Sequence, residues 1–323
     1  MATATVARYS SADFASDVQS GLMRRGQKEL PSKYLYDEVG SSLFETITVL
    51  PEYGLSRADE RLLKEHAPEM IAPLLPWKVL VAELGSGSGK KTRWILEALG
   101  RRQATIYRPI EISATALGRC AKEFGDMQGV TVRGLERGYL QGLREVAANR
   151  QPDEKLLTLF LGSTIGNFDR AAGQQFLLEI RGILRSGDAL LLGADLVKPI
   201  ALLLAAYDDA VGVTSAFNLN LLARVNRELG AGFDLAAFRH AARYDVYERR
   251  IEMHLVSLRE QSVAIPGAGC RPQFAEGETI WTESSYKYQP EELLEMAVRG
   301  GFRPEAQWVD QQWPFGETLL VAE

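Results

Sequence analysis

The chain has 323 residues, enough for one large or two modest domains with a buried core. Apolar residues make up 46% and charged residues 24%, which is typical of a folded protein and argues against a disordered or collagen-like chain. Lys and Arg total 37 against 42 Asp and Glu, so no cationic excess is available to bind a nucleic-acid backbone. The composition therefore predicts a globular protein without a nucleic-acid partner.

The cysteines and histidines indicate whether the chain binds a metal ion and in which cellular compartment it folds. Cys120 and Cys270 lie far apart, which argues against a disulfide scaffold or a thiolate zinc site and fits a reducing cytosol. Metal-ligand spacing is also missing among the three histidines, His66, His240 and His254. No apolar run reaches the ~20 residues that cross a bilayer, and residues 1–14 lack a signal-peptide core. We expect a cytoplasmic monomer that uses neither metal nor membrane.

Five short β-type runs alternate with helical patterns, which is typical of a parallel sheet with crossover helices. The predicted strands are 78–84, 104–112, 130–134, 155–162 and 188–195. Three of them are rich in contiguous Val, Ile and Leu, as expected of strands buried on both faces. Ser113 and Asp169 are predicted to cap the helices that follow two of these strands. This segment predicts an open α/β sheet.

The pattern changes on both sides of that sheet. Residues 197–242 predict consecutive helices, the last being DLAAFRHAAR, and residues 243–287 predict long strands. PEELLEMAVRGGF predicts a helix closed by Gly300 and Gly301, and QWVDQQWPFGETLLVA predicts two strands at an antiparallel edge. We therefore predict an α/β domain of residues 59–196 and 288–323, and an inserted α+β domain of 197–287 with 1–58.

A glycine-rich loop follows the first predicted strand, in VLVAELGSGSGKKT, with glycines at 85, 87 and 89. Such glycines let backbone amides approach a ligand at the carboxyl end of a strand. The spacing does not match a phosphate-binding P-loop, and Lys90 stands where a dinucleotide-binding loop needs Gly or Ala, which weakens that interpretation without excluding it. The remaining pattern, acidic-x-Gly-x-Gly-x-Gly, resembles the first motif of class I S-adenosylmethionine-dependent methyltransferases.

Two further segments indicate a nucleoside ligand and an amine. Glu111 ends the second strand, where a carboxylate can accept both ribose hydroxyls, although NAD would use the same residue. The fourth strand ends in LFLGSTIGNF, which places Gly162 and Asn167 at the same edge of the sheet. An Asn carbonyl there can orient an amine, or it can simply bond its own turn. The Asn-Pro-Pro-Tyr motif of base methyltransferases is absent.

Several segments in order resemble the histidine Nα-methyltransferases of ergothioneine biosynthesis, over nearly the whole chain. These are LPSKYLYDEVGSSLFETITVLPEY, GSTIGN, AYDDAVGVTSAFNLNLLARVNREL, RRIEMHL and TESSYKY. The resemblance implies a class I methyltransferase Rossmann-like sheet with an inserted α+β substrate-binding domain. It also implies transfer of three methyl groups from S-adenosylmethionine to the α-amine of L-histidine. The products would be hercynine and S-adenosylhomocysteine.

The resemblance also implies site residues. Around the amine and carboxylate of the substrate it places Tyr36, Tyr53, Asn167 and Tyr207, with Tyr36, Tyr53 and Asn167 as the catalytic set. For the imidazole it implies Glu283 and Ser285, with Met253 lining the pocket. On the cofactor side, where the glycine loop also supplies Gly87, it implies Gly85, Lys91, Glu111, Tyr139 and Gly162.

Two departures from the family pattern concern the cofactor. Glu111 replaces an aspartate, which keeps an acceptor on a longer arm, and Gly138 stands before Tyr139 where the family has the Asp that faces adenine. Glu136 is one candidate replacement, and stacking with backbone contacts is the other. A methyltransferase for another amino acid, such as tryptophan, is an alternative that Glu283 and Ser285 argue against. A non-catalytic nucleotide-binding module is the second alternative, and the missing Asp favours it.

Overall fold

The computed structural model describes residues 11–323, and the predictions made for residues 1–10 lie outside that part. Its helices are α1 (Ser11–Leu22), α2 (Glu38–Ile47), α3 (Gly54–Ile71), α4 (Arg93–Gly100), α5 (Ala114–Glu123), α6 (Tyr139–Ala148), α7 (Arg170–Ile183), α8 (Ile200–Tyr207), α9 (Val213–Leu229) and α10 (Pro290–Arg299). Its strands are β1 (Lys28–Glu29), β2 (Lys78–Leu84), β3 (Thr105–Glu111), β4 (Val130–Val132), β5 (Leu135–Glu136), β6 (Glu154–Phe160), β7 (Ala189–Asp195), β8 (Phe238–Asp245), β9 (Arg250–Ser257), β10 (Gln261–Ser262), β11 (Gln273–Phe274), β12 (Thr279–Tyr286), β13 (Phe302–Val309) and β14 (Phe315–Ala322).

The described residues divide into two compact units. The first unit holds residues 55–197 and 287–323, and the second holds the described residues up to 54 together with 198–286. The chain therefore leaves the first unit after β7 and returns to it shortly before α10.

One sheet organises the first unit, in the order β13-β14-β7-β6-β2-β3-β4, with β5 also paired to β3. Strands β2, β3, β4, β6 and β7 are parallel, whereas β14 is antiparallel to both of its neighbours. Apart from Lys78, every residue of β2 and β7 is buried, which explains their continuous apolar sequences. This sheet is the predicted class I methyltransferase fold, including its antiparallel edge.

The strand order reverses between β2 and β6, which are neighbours although the chain passes through β3, β4 and β5 between them. Ligands of open α/β sheets bind at such a switch point, outside the carboxyl ends of the strands. Leu84, Glu111 and Phe160 are the last residues of β2, β3 and β6. The segments following these three strands therefore form the expected binding edge.

Most predicted elements of the first unit are confirmed. The five predicted strands match β2, β3, β4, β6 and β7 to within two residues at each end. The side chains of Ser113 and Asp169 accept hydrogen bonds from Ala116 N and Ala172 N, as N-caps do. Gly300 caps α10, and Gly301 follows with a φ of 79°. Among residues 11–323, no helix has the length and apolarity needed to cross a membrane.

The second unit is built on a four-stranded sheet in the order β1-β12-β9-β8. Helix α9 contacts α2, β8 and β9, and α8 also contacts β8 and β9. Strand β12 pairs antiparallel with β9, and the register shifts between Trp281 and Glu283, which marks a bulge at Thr282. The bulge lies immediately before the two residues that the sequence assigned to the imidazole.

One secondary-structure prediction in the second unit is wrong. The segment DLAAFRHAAR was expected to be helical, but only Leu235–Ala237 form a 3-10 turn, and the chain then enters β8. Strand β8 pairs with β9 along its whole length, from Phe238 opposite Ser257 to Asp245 opposite Arg250. Long-range pairing and the burial of Phe238 and His240 outweigh the local helix propensity of Ala and Arg.

Candidate functional site

The glycine loop of the first unit follows β2 and adopts a backbone that side chains disfavour. Gly85 and Gly89 both have a φ of 74°. A Cβ at Gly89 would lie 2.7 Å from the Phe124 ring, and one at Gly85 would lie 3.1 Å from the Tyr139 hydroxyl. The loop therefore lies directly against α5 and α6. Within it, Gly85 N donates a hydrogen bond to Ile110 O at 2.8 Å and Gly89 N donates to Ser86 O at 2.9 Å, so internal bonds fix its backbone.

Glu111 at the end of β3 faces this loop. Its Oε2 accepts a hydrogen bond from Gly87 N at 3.3 Å, and its Oε1 accepts from Ile112 N at 2.8 Å and Ser113 N at 3.3 Å. Burial raises the pKa of the Glu111 carboxyl, and these three backbone donors oppose that rise. The backbone holds the carboxylate in place, and its remaining lone pairs are available to ribose hydroxyls.

Tyr139 begins α6 beside the glycine loop. Its ring packs edge-on against Phe160 and Phe176, at centroid distances of 5.8 and 6.2 Å. The ring also lines a largely apolar cavity of about 550 Å³ with Phe168 and Phe176. Glu136 in β5 is paired in register with Glu111, so a second carboxylate lies at the same edge of the sheet. An aromatic ring and a second carboxylate thus lie at the edge of the sheet where the sequence departs from the family pattern.

Lys91 and Gly162 lie together at the ends of the switch-point strands. The Lys91 Nζ lies 3.2 Å from the position that a Cβ of Gly162 would occupy, and Gly162 has a φ of 69°. Both residues bond Asp59, which accepts a hydrogen bond from the Lys91 ammonium and one of 3.0 Å from Gly162 N. Asp59 is a site residue that the sequence reasoning missed, because it lies on α3 outside any motif.

Asn167 is exposed at the end of a 3-10 turn, Thr164–Asn167. The turn begins after Ser163, whose φ of 62° is unusual for a residue with a side chain. The Ser163 hydroxyl accepts a hydrogen bond from Asp195 N at 2.9 Å, and the Tyr288 hydroxyl donates to Ile165 O at 3.3 Å. Strand β7 and Tyr288 therefore fix the turn that carries Asn167 at the binding edge.

Glu83 is buried in β2 beneath the glycine loop. It accepts hydrogen bonds from the Thr92 hydroxyl at 2.7 Å and from the Tyr107 hydroxyl. Burial raises the pKa of Glu83 from 4.5 to about 7, against the effect of these two donors. The native state therefore holds this proton more tightly than the unfolded chain does.

We predict that Glu83→Gln flattens the pH dependence of stability. Because the folded pKa is raised, the stabilising contribution is complete below the unfolded value near 4.5 and is lost as pH rises through about 7. The full loss is on the order of 3 kcal/mol, since the pKa rises from 4.5 to about 7 and one pKa unit is about 1.4 kcal/mol. Urea unfolding of both proteins between about pH 5 and pH 8.5 measures it. An equal pH dependence in the variant would contradict the prediction.

The predicted imidazole pair lies on one face of β12 in the second unit. The Tyr207 hydroxyl donates a hydrogen bond of 2.7 Å to Ser285 Oγ, and the Tyr36 hydroxyl lies 3.5 Å from Glu283 Oε1. Met253 is paired with Glu283 on β9 and is buried. Ser285 is also buried, whereas Glu283 is half-buried. The structure thus brings together five of the residues that were assigned to the substrate.

Tyr53 joins this group through aromatic contacts. Its ring centroid lies 6.1 Å from that of Tyr207 and 6.3 Å from that of Phe44, both in edge contact. Phe44 lies in turn 5.4 Å from Tyr36. The three substrate-side tyrosines of the second unit therefore belong to one aromatic cluster, in which Tyr53 and Tyr207 are buried and Tyr36 is half-buried, with their hydroxyls as polar tips.

A buried hydrogen-bond network lies behind the substrate-side residues and was missed at the level of sequence. The Asn218 side-chain amide bonds His240 Nδ1 at 2.9 Å and His254 O at 3.1 Å, and its oxygen accepts from the Thr282 hydroxyl at 2.7 Å. His240 Nε2 bonds Tyr207 O at 2.8 Å, which requires a proton on Nε2 and leaves Nδ1 as the acceptor. The network fixes both Tyr207 and the bulge at Thr282.

This arrangement keeps His240 neutral, because burial lowers the pKa of its imidazole below the usual range. The same is true of His254, which is buried and bonds Glu252 at 3.0 Å through Nε2. Within residues 11–323, no group of His, Cys, Asp and Glu is arranged to hold a metal ion.

Comparison with known proteins identifies the family. Residues 14–322 match the family described as histidine-specific, S-adenosylmethionine-dependent methyltransferases. The chain belongs to this histidine-specific methyltransferase family. The match covers both units, so it spans the substrate-side tyrosines as well as the glycine loop.

Individual relatives agree with that family. Histidine N-alpha-methyltransferase of Mycolicibacterium smegmatis is 40% identical, with 99% of each chain covered. Ergothioneine biosynthesis protein 1 of Neurospora crassa is 32% identical over 88% of this chain and 32% of its own length. L-tryptophan methyltransferase trpM of Psilocybe serbica is 27% identical over 91% of this chain and 89% of its own. The histidine-specific methyltransferase family predicted from the sequence segments is thereby confirmed.

Proposed function

We propose that the chain transfers three methyl groups in turn from S-adenosylmethionine to the α-amine of L-histidine, giving hercynine for ergothioneine biosynthesis. The observation that carries the substrate assignment is the polar pair on β12, in which Tyr207 bonds Ser285 and Tyr36 approaches Glu283. One carboxylate and one hydroxyl on the same face match the two nitrogens of an imidazole. Two of the relatives, 40% and 32% identical, are named for histidine N-alpha-methylation and for ergothioneine biosynthesis, which supports the same substrate.

The first unit fits the cofactor. A Cβ at Gly85 would lie 3.1 Å from the Tyr139 hydroxyl, so only glycine fits between the loop and this ring, and Glu111 supplies the acceptor for a ribose. We propose that Gly85, Gly87 and Glu111 hold the nucleoside and that Tyr139 stacks on the adenine. Lys91 and Gly162 are assigned to the methionine end. When bound, S-adenosylmethionine supplies a sulfonium methyl group that is already electrophilic, so the proposed reaction does not require a metal.

The chain's own contribution is then to orient a neutral amine. We propose that Asn167, Tyr36 and Tyr53 do this, with Tyr207 and Met253 completing the amino-acid site. Hydroxyl and amide oxygens are weak, adaptable partners, so they can hold an amine that carries zero, one or two methyl groups. A carboxylate in their place would favour the charged ammonium, which has no lone pair for attack. Orientation of the nucleophile accounts for much of the rate that such a site can supply.

The alternative substrate is tryptophan, since one relative is named for it. An indole offers a single N–H and no acceptor, so it cannot bond both Glu283 and Ser285. A lost polar contact of this kind costs on the order of 1 to 3 kcal/mol, which disfavours tryptophan. The silent nucleotide-binding module is disfavoured because the chain belongs to a family described as histidine-specific methyltransferases.

A single reaction tests the proposed function. The chain is incubated with S-adenosylmethionine and an equimolar mixture of the twenty amino acids, and the products are identified by mass spectrometry. We expect a gain of three methyl groups on histidine alone. Methylation of another amino acid would contradict the substrate, and no methylation would contradict the enzyme assignment.

We further propose that the protein is a cytoplasmic monomer. Light scattering of the purified chain measures its molar mass and so tests the monomeric state.

A further inference from the structure

A group of buried acids lies beside the proposed cofactor site of the first unit. Asp59 and Glu317 have no exposed surface, and Glu83 is also buried. They face the half-buried Lys91, whose ammonium bonds Asp59. Carboxylates that are removed from water need a compensating charge or a proton. The proposed mechanism uses Lys91 but gives no role to Glu317.

The hydrogen bonds of Asp59 and Glu317 are incomplete unless a proton lies between them. Asp59 Oδ2 accepts from Lys91 and from Gly162 N, but no donor reaches Asp59 Oδ1. Neither oxygen of Glu317 has a donor, although its carboxyl lies within hydrogen-bond reach of Asp59. One proton on Glu317 satisfies Asp59 Oδ1 and an oxygen of Glu317 at the same time.

The electrostatics favour that proton on Glu317. Burial raises the pKa of Glu317 well above its usual value, and the Asp59 carboxylate raises it further. Burial alone would lower the pKa of Lys91, but the neighbouring carboxyl groups, with Asp59 contributing most, together outweigh burial and raise that pKa. Lys91 and Asp59 are therefore the charged pair, and Glu317 is the neutral member.

We propose that Glu317 is a positioning residue, a neutral acid that donates a hydrogen bond to Asp59 and so fixes Lys91 and the Gly162 amide for the carboxylate of S-adenosylmethionine. This inference rests on the proposed function. The Lys91–Asp59 pair is neutral overall, so an incoming carboxylate meets the ammonium without net repulsion. A second buried negative charge on Glu317 would repel that carboxylate. The proton thus makes the site able to accept an anionic group.

The test compares two nucleoside ligands by titration calorimetry on the full chain. S-adenosylhomocysteine carries the amino-acid carboxylate, and 5′-methylthioadenosine lacks it. In Asp59→Asn, we expect the Kd of S-adenosylhomocysteine to rise about 10-fold or more, because the charge-assisted bond that positions Lys91 for the ligand carboxylate is lost. The Kd of 5′-methylthioadenosine should stay within about 2-fold of the wild-type value, because this ligand makes no contact through a carboxylate.

Glu317→Gln is the conservative variant, since its amide keeps a neutral donor toward Asp59. We expect it to keep the wild-type ratio of the two affinities. Asp188→Asn is the matched control, because Asp188 is an equally buried acid paired with Arg150 immediately before β7, at the opposite edge of the sheet. It should leave the ratio unchanged even if it lowers the melting temperature.

Three outcomes are distinguishable. Equal weakening of both ligands in Asp59→Asn means a structural role only and overturns the proposal. A large loss of S-adenosylhomocysteine affinity in Glu317→Gln also overturns it, because a charged Glu317 would then be required. If wild type binds neither ligand, the proposed function itself fails.

Discussion

A chain that carries Glu283→Leu together with Ser285→Ala is expected to lose its preference for histidine. The two changes remove both polar groups that we assign to the imidazole, and each lost contact costs on the order of 1 to 3 kcal/mol. The kcat/KM for histidine should fall by about 100-fold or more. An indole side chain no longer faces polar groups that it cannot bond. The ratio of kcat/KM for histidine to that for tryptophan should therefore fall. Methylation rates on both amino acids measure the change.

Ser284→Ala provides the matched control for this double variant. Ser284 lies between the two residues on β12 and is paired with Glu252, so its side chain points to the opposite face of the sheet. It should leave the ratio of histidine to tryptophan efficiency unchanged. Wild-type selectivity in the double variant would mean that Glu283 and Ser285 of β12 do not bind the imidazole. The histidine assignment would then rest on family membership alone.

The sheet of the first unit could be predicted because its local signals agree. Strands β2 and β7 are short apolar runs that are buried on both faces, and helices with recognisable caps follow β3 and β6. In such a chain the hydrophobic pattern, together with the length of each run and the residues that flank it, distinguishes parallel strands from crossover helices. The glycine loop and Glu111 follow from the same topology, because both lie at the carboxyl ends of adjacent strands.

Strand β8 was mispredicted because it is stabilised as a strand by its pairing with β9 and not by its own sequence. Its Ala and Arg residues favour helix locally, and only pairing with β9 and cover from α8 and α9 decide otherwise. The supporting residues were missed for a related reason. Asn218 acts on Thr282 across 64 residues of sequence, and Asp59 acts on Gly162 across 103. Neither residue belongs to a local motif, so only the folded chain shows what each contacts.

For the substrate-side residues of the second unit, the family resemblance adds information that the physical interpretation of single residues does not give. Taken singly, Tyr36, Tyr207 and Met253 would be interpreted as half-buried core side chains. The structure places them around Glu283 and Ser285 through specific contacts, such as the 2.7 Å bond from Tyr207 to Ser285. No periodicity or spacing in the sequence predicts those contacts. The resemblance selected the residues, and tertiary packing accounts for their proximity.

Asn167→Ala is expected to lower turnover far more than it weakens cofactor binding. Asn167 ends a turn that β7 and Tyr288 hold in place, so removing its exposed side chain should leave that turn intact. If its carbonyl orients the amine, the loss falls on alignment with the methyl group, where a small misplacement costs on the order of 100-fold in kcat. The Kd of S-adenosylhomocysteine should change by less than about 2-fold, or less than half of RT ln 10.

Product distribution gives a second measure of the same variant. An amine that is no longer oriented should leave the site after one or two methylations, so singly and doubly methylated histidine should accumulate beside hercynine. Asn149→Ala is a suitable control, because Asn149 is an exposed Asn at the end of α6 whose side-chain amide donates to Glu145 O at 2.7 Å. Near-normal turnover in Asn167→Ala, with hercynine as the sole product, would remove Asn167 from the amine site and leave the tyrosines of the second unit to orient the nucleophile.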